Sequence, residues 1–465
     1  MQRLVLRIRR EDRERLSFMN TDTELGRPWY HGVTGYQWLA LTIASLGWVF
    51  DIFEGHVFVA SMNEAMPALL PAGTSKGTID SFNNYAMGTF LVGGALGGVV
   101  FGMISDRIGR VRTLILTILT YSLFSCVTAF AQDPWQMMIL RFMVALGTGG
   151  EWSVGAALVA EIFSKRARAW SLGIFHATST LGTWVAVLAG VLVVANPKLG
   201  WRWGFAIGVL PALLTVWIAT SLHEPERWVQ ARGVAGKDRQ QKAGRVRDLF
   251  APELIRNTLV GLCLATVGLA VYWGVYVYGW QLLRQWAERN HLPPTSVKHW
   301  EMLGMFLVTS GGGLGLLSFG PICERIGRRG AFLVFHLCGL VAGLVMFQGL
   351  ANAGVAVLCV ALPIFGYLTV AIHAGYAIYF PELFPTRLRG TGGGFCFNGG
   401  RFLAASFLLV RGWMRTEGQV GFGPFRVTGL GLSMENTASI LSLLFLLGLV
   451  VLLFAPETKG RDLPT

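Results

Sequence analysis

The sequence predicts an all-α membrane protein of twelve transmembrane helices, arranged as two pseudo-symmetric six-helix bundles. Three observations predict it. First, 53% of the 465 residues are hydrophobic and only 14% are charged, with a mean hydropathy of +0.52. That is too little charge to cover the surface of a soluble chain of this length. Second, the apolar residues fall in blocks of about 20, the length at which a helix crosses a hydrocarbon core. Third, a set of loop motifs in the first half recurs in the same order in the second.

Taken in order, residues 1–37 form a basic tail that includes Arg3, Arg7, Arg9, Arg10, Arg13 and Arg15 without an apolar core, so they read as a cytoplasmic tail rather than a cleaved leader. Spans follow near 38–61, 82–104, 113–131, 136–162, 169–194 and 201–222, making one bundle (38–222). A polar linker occupies 223–256. Further spans near 257–280, 301–320, 330–350, 353–380, 390–412 and 435–455 make the second bundle (257–455), and 456–465 is a short tail. An even span count leaves both ends on one side. Of the 39 Lys and Arg residues, 28 lie in the tails, the linker and the segments on that side, against 9 on the other. This bias predicts cytoplasmic termini and a multi-pass cell (inner) membrane protein.

The net charge of +13 is spread through short loops and forms no basic face interleaved with aromatics, so a nucleic-acid partner is excluded. The expected partners are the lipid bilayer, a small-molecule substrate and a proton, with the chain expected to function as a monomer. The six cysteines are scattered without metal-ligand spacing, and no metal or other cofactor is expected. Abundant glycine, 59 residues, suits close helix approach in lipid.

The repeated motifs lie at loops on the basic side. Gly102-Met-Ile-Ser-Asp106-Arg107-Ile-Gly109-Arg110 recurs as Gly320-Pro-Ile-Cys-Glu324-Arg325-Ile-Gly327-Arg328. Glu161-Ile-Phe163-Ser-Lys-Arg166-Ala-Arg168 recurs as Glu382-Leu-Phe384-Pro-Thr-Arg387-Leu-Arg389. Glu224-Pro225-Glu226-Arg227 and Pro456-Glu457-Thr458-Lys459 close the two halves. Here an acid at a helix end can pair with arginines or a helix N-terminus of the neighbouring bundle, forming a latch that breaks on opening. The expected gate residues are Gly102, Asp106, Arg107, Gly109, Arg112, Glu161 and Arg168, with Gly320, Glu324, Arg325, Gly327, Arg328, Glu382 and Arg389 as their counterparts. Anchoring of these arginines to lipid headgroups is the alternative.

At these residues the chain resembles the major facilitator superfamily, with the two Glu-x-Phe…Arg motifs and the Pro-Glu-Thr-Lys-Gly close similar to its sugar-porter-like branch. Val111 stands where a basic residue is usual, and Arg112 keeps the last one. The resemblance implies a secondary carrier that works by alternating access and is not an enzyme.

Ionisable residues inside spans are costly in lipid and therefore functional candidates. Asp51 and Glu54, three apart, share one helix face in the first span. Arg141 and Glu151 lie in the fourth. Asp51 and Arg141 fall at matching depth, which predicts an Asp51–Arg141 pair with Glu54 nearby. Apposed carboxylates in low dielectric suit proton coupling, and the assigned group is Asp51, Glu54, Glu151 and Arg141. A static ion pair that sets helix packing is the alternative.

Asp-x-x-acid in the first span and Arg…Gly-x-Gly-Gly-Glu-Trp in the fourth resemble the metabolite:proton and aromatic-acid:proton symporters and related sialic-acid carriers. Ile52 and Glu54 depart from the usual Asp-Gly-x-Asp, and the seventh span lacks the paired glutamines of sugar porters. The resemblance implies proton-coupled symport of an organic carboxylate, aromatic or sugar acid. The alternatives are a sugar or polyol carrier, a proton-exchanging exporter, or a non-transporting sensor of the same fold.

Arg401, after Asn398 in the eleventh span, suits an anionic substrate or else bonds backbone carbonyls at a helix break. Tyr272 and Tyr276 of the seventh span are candidates to stack on a ring, although Tyr and Trp near a span's end usually form the interfacial belt. Among the histidines inside spans, His373 is the first candidate, because the tenth span usually lines the cavity in the fold the chain resembles.

Overall fold

The computed structural model describes residues 28–74, 76–194, 196, 198–235, 243–415, 419–422 and 425–464. Residues 1–27 of the expected basic tail lie outside them. Among the described residues, twelve helices are long and apolar enough to cross a membrane: Gly35–Val59, Tyr85–Ile108, Arg110–Thr128, Pro134–Ile162, Lys165–Val194, Gly200–Ser221, Ile255–Arg289, His299–Ile326, Arg328–Leu350, Val355–Leu383, Thr386–Arg415 and Met434–Phe454. They form the two six-helix bundles expected. Large apolar side chains such as Phe130, Leu213, Val360 and Leu453 remain exposed on the outer faces, where lipid rather than water is the fitting solvent.

Local sequence explains several helix ends. Thr34 and Gln37 form a reciprocal capping box at the first span. Asp133 accepts from the backbone N–H groups of Trp135 and Gln136, ahead of Pro134 at the first helical position. Gly109 and Gly327 turn the chain between the second and third, and eighth and ninth spans, at φ of 116° and 85°, a region a Cβ disfavours. The first helix runs on to Leu69, beyond its expected end. A two-stranded antiparallel hairpin, β1 (Gln419–Phe422) with β2 (Phe425–Thr428), joins the last two spans. It is a loop ornament on an otherwise helical protein.

Several spans are broken where they line the interior. The fifth bends at Thr178 and the tenth at Ala371. The seventh carries a π-helical turn over Tyr272–Tyr276, a device that re-aims side chains by one extra residue per turn.

Glycine sets the seams. A Cβ on Gly149 would collide with the backbone of Gly94, so the second and fourth spans touch backbone to backbone. Between bundles, Gly102 abuts the Gly390 carbonyl, and Gly320 abuts the Ala169 carbonyl at 2.7 Å from an added Cβ. The two halves thus meet along two pseudo-equivalent lines, the second span on the eleventh and the eighth on the fifth.

Candidate functional site

A central cavity with about 1260 Å3 of empty space, its mouth included, lies between the bundles. Both halves contribute its walls, through the first, second, fourth and fifth spans and the seventh, eighth, tenth and eleventh. The walls are mostly apolar and aromatic. Among the described residues, Asp51 and Arg401 are the only Asp, Glu, Lys or Arg side chains on them. Each feels the other's charge, but no direct ion pair joins them. Arg401 also lies over the Phe397 ring at 5.5 Å.

The π-turn of the seventh span brings Tyr272 and Tyr276 to the same wall, stacked with centroids 4.9 Å apart. Trp273 and Trp280 line the cavity as well. His373 joins them against Tyr272 at 5.5 Å. Trp152 of the fourth span stacks on Phe397 of the eleventh at 4.0 Å and 20°, bridging the bundles with an aromatic pair.

The other expected acids turn away from the cavity. Glu54 is fully buried behind the first span and accepts a 2.6 Å hydrogen bond from Ser125 Oγ. Glu151 is 1% exposed, with its carboxylate packed against Gly47 and the buried Tyr121 hydroxyl facing it. Arg141 corrects the pairing expected from depth. It donates to the Glu54 carbonyl at 3.0 Å, and its guanidinium sits among the Phe58, Phe90 and Phe205 rings at 5.0, 4.6 and 5.7 Å. The cation that faces Asp51 is instead Arg401, from the other bundle. Helix depth could not reveal this, because depth leaves the azimuth around each helix open.

Asn398 is also corrected. It is fully buried and off the cavity, donating to the Gly149 and Gly394 carbonyls at 3.2 Å each. It ties the eleventh span to the fourth.

At the end carrying the repeated motifs, the bundles are joined by buried charge. Asp106 accepts from Arg110 at 2.6 Å and reaches across to the eleventh span. There it accepts from the Gly390 N–H (3.0 Å), the Thr391 N–H (2.8 Å) and the Thr391 hydroxyl (2.6 Å). Glu161 accepts from Arg110 at 2.8 Å and from Arg389 of the second half at 2.6 Å. Arg110 completes the set by donating to the Thr386 carbonyl at 2.8 Å.

In the second half Arg328 repeats the role of Arg110, bonding Glu324 at 2.8 Å and Glu382 at 2.9 Å. The crossing is not repeated. Arg168 donates Nε to the Ala160 carbonyl and leaves one buried Nη unpaired, and Glu324 makes no bond across the seam. Among the described residues, the first-half network therefore crosses between the bundles and its second-half counterpart does not.

Three expected gate residues behave otherwise. Arg107 bonds the Gly244 carbonyl of the linker at 3.1 Å. The Arg112 side chain is exposed, and only its backbone N–H meets Glu224. Arg325 is exposed and contributes its carbonyl to Lys459. Sequence reasoning missed Arg110, Thr391, and the capping acids Glu224 and Glu457. Each capping acid accepts from the first backbone N–H groups of the third or ninth span, a carboxylate on a helix N-terminus. Their signal was present: each half closes on a Glu just beyond its last span, Glu224 and Glu457, as the loops they cap repeat.

Residues 38–409 match the Major Facilitator Superfamily. A putative metabolite transport protein of Haemophilus influenzae is 29% identical over 93% of this chain and 99% of its own length. The cis,cis-muconate transport protein of Acinetobacter baylyi is 30% identical over 72% and 79%. Among solved structures, the proton:xylose symporter XylE bound to 6-bromo-6-deoxy-D-glucose superposes with a TM-score of 0.73 at 16% identity, covering 92% of this chain and 98% of that one.

Proposed function

The chain belongs to the Major Facilitator Superfamily, and on that premise we propose that it is a proton-coupled symporter of small organic carboxylates working by alternating access. One observation carries the reading. Among the described residues the cavity walls hold one carboxylate and one guanidinium, Asp51 and Arg401, from opposite bundles and without a direct bond between them.

With no anion bound, the two charges stabilise each other across the cavity. A substrate carboxylate that takes the Arg401 fork leaves Asp51 unpaired beside a second anion in a low-dielectric cavity, a state that costs several kcal/mol. A proton on Asp51 removes that cost. The bundles then rock with both proton and anion aboard, or with neither. Glu54, Glu151 and Arg141, behind the same wall, form the remaining proton-handling side, and the aromatic wall around Tyr272, Tyr276 and His373 suits an unsaturated or aromatic body. The relative named as a cis,cis-muconate transport protein supports a carboxylate cargo.

The basic-residue bias supports placing both termini in the cytoplasm. On that orientation the closed latch lies inside and the state described here faces outward. The halves 38–222 and 257–455, joined by the 223–256 linker, are the moving bodies. A single chain supplies the whole site, which supports a functional monomer.

The test is uptake into proteoliposomes of labelled muconate, aromatic acids and sugars, with and without an inward proton gradient. Acids should accumulate only with the gradient. Asp51→Asn should abolish accumulation while keeping acid exchange. Unchanged accumulation in Asp51→Asn, or accumulation of sugars in place of acids, refutes the reading.

A further inference from the structure

Two histidines, one from each bundle, face the cavity beside the Trp152–Phe397 stack, and their hydrogen bonds assign the proton on each ring. His176 accepts at Nδ1 from the Trp152 indole N–H, 3.0 Å away. Indole is a donor only, so Nδ1 bears the lone pair and Nε2 the hydrogen. The Trp48 indole also donates to the His176 carbonyl at 3.3 Å, holding the residue at both ends.

His373 is assigned the opposite way. Its Nδ1 stands 3.2 Å from the Val370 carbonyl, which only accepts, so Nδ1 carries the hydrogen and Nε2 is the acceptor. Among the described residues no ion pair involves either ring, so both are written as neutral imidazoles. His176 is 4% and His373 6% exposed, both line the cavity, and they lie close enough to interact. His373 Nε2 is buried without a partner in the protein.

We infer that His176 and His373 form a hydroxyl subsite, His176 Nε2–H donating to the substrate oxygen while that oxygen's hydrogen is donated to His373 Nε2. An alcohol or phenol satisfies both nitrogens through one atom. An ether oxygen can only accept, leaving His373 unpaired, and a hydrogen or methyl leaves both unpaired. This inference rests on the carboxylate reading above and narrows it: the substrate is a hydroxy acid, with its carboxylate on Arg401 and its hydroxyl on the histidine pair. Because the two rings come from opposite bundles, the hydroxyl also joins the halves, so the subsite forms only while both face the same ligand.

Binding to the purified full chain in nanodiscs tests this with benzoate, its three monohydroxy isomers and their methyl ethers. One hydroxy isomer should bind roughly tenfold or more tighter than benzoate, and its ether should lose that gain. The hydroxy-to-benzoate ratio should fall to near one in His373→Leu and in His176→Leu, and His373→Gln should restore part of it. A wild-type ratio near one for every isomer, or a ratio that persists in both leucine variants, overturns the subsite.

The imidazole 15N shifts of histidine-labelled protein, assigned with single-histidine replacements, provide an arm independent of cargo. His176 should read as the Nε2–H tautomer and His373 as Nδ1–H, and the reverse at either ring overturns the assignment. If none of the acids binds, the carboxylate reading fails, and the 15N result alone then decides whether the histidine pair stands.

Discussion

Replacing Asp106 by Asn should open the end that carries the repeated motifs. The carboxylate accepts four hydrogen bonds, three of them from the first turn of the eleventh span in the other bundle. An Asn of the same shape creates no cavity, but it offers one oxygen and turns an NH2 group toward donors. At least one buried N–H or O–H then loses its acceptor, and Arg110, 0% exposed, loses one of its two carboxylates. An unmet buried donor costs about 1–3 kcal/mol, and breaking a buried ion pair about 3–5. Allowing for overlap, the closed state should lose about 3 kcal/mol relative to an open one in which water meets these groups. By the rule that 1.4 kcal/mol is tenfold, this is a shift of roughly 150-fold in the closed-to-open ratio.

Spin labels at the exposed positions Arg112 and Arg329, one per bundle, read that shift by pulsed electron–electron resonance. The variant should populate a longer distance that the parent barely shows. An unchanged distance distribution in a folded variant would refute the idea that this network holds the bundles together.

The other predictions concern the asymmetry, the seams and the tail. Arg389→Gln, which removes the bond to Glu161 across the seam, should open the same label pair, whereas Arg168→Gln, lacking a crossing bond, should leave it nearly unchanged. Gly102→Ala should also favour the open state because its Cβ meets the Gly390 carbonyl. Gly97→Ala, whose Cβ meets the Leu146 backbone within one bundle, should instead lower thermal stability, measured by melting in detergent.

Glu457, beyond the last span, adds a pH dependence. Burial raises its carboxyl, but the N–H groups of Lys459, Arg328, Arg329 and Thr458 outweigh that and hold it below the ordinary carboxylate range. A depressed value stabilises the fold above the unfolded pKa of about 4.3. That contribution fades as pH falls through the folded value. The melting-temperature gap between parent and Glu457→Gln should therefore be full at pH 7 and narrow below about pH 4. A gap that stays constant down to pH 3 would remove the carboxylate from the explanation.

The twelve spans, the duplication and the loop network were legible because each depends on information local in the chain. Span length follows from bilayer thickness, and the repeated loops place Asp106 and Glu161 by simple self-comparison. The residues the reading missed were still in plain view. Arg110 closes the first quoted motif as Arg328, which was among the expected gate residues, closes the second, yet choosing Arg110 over Arg107 requires knowing which way each guanidinium points. In the structure Arg110 and Arg328 turn inward to the acids, while their neighbours meet the linker or stay exposed.

The membrane charges show the same division more sharply. Sequence alone determined that Asp51, Glu54, Arg141, Glu151 and Arg401 lie in lipid-spanning helices, and hence that each needs a partner. Only the tertiary structure decided which. Asp51 and Arg401 share the cavity from opposite bundles, Arg141 rests among three phenylalanines beside Glu54, and Asn398 serves the seam between bundles. The reason is geometric. Hydropathy and rise per residue fix how deep a side chain sits, but its azimuth and its neighbour are set by how twelve helices pack, through glycine contacts hundreds of residues apart in the chain.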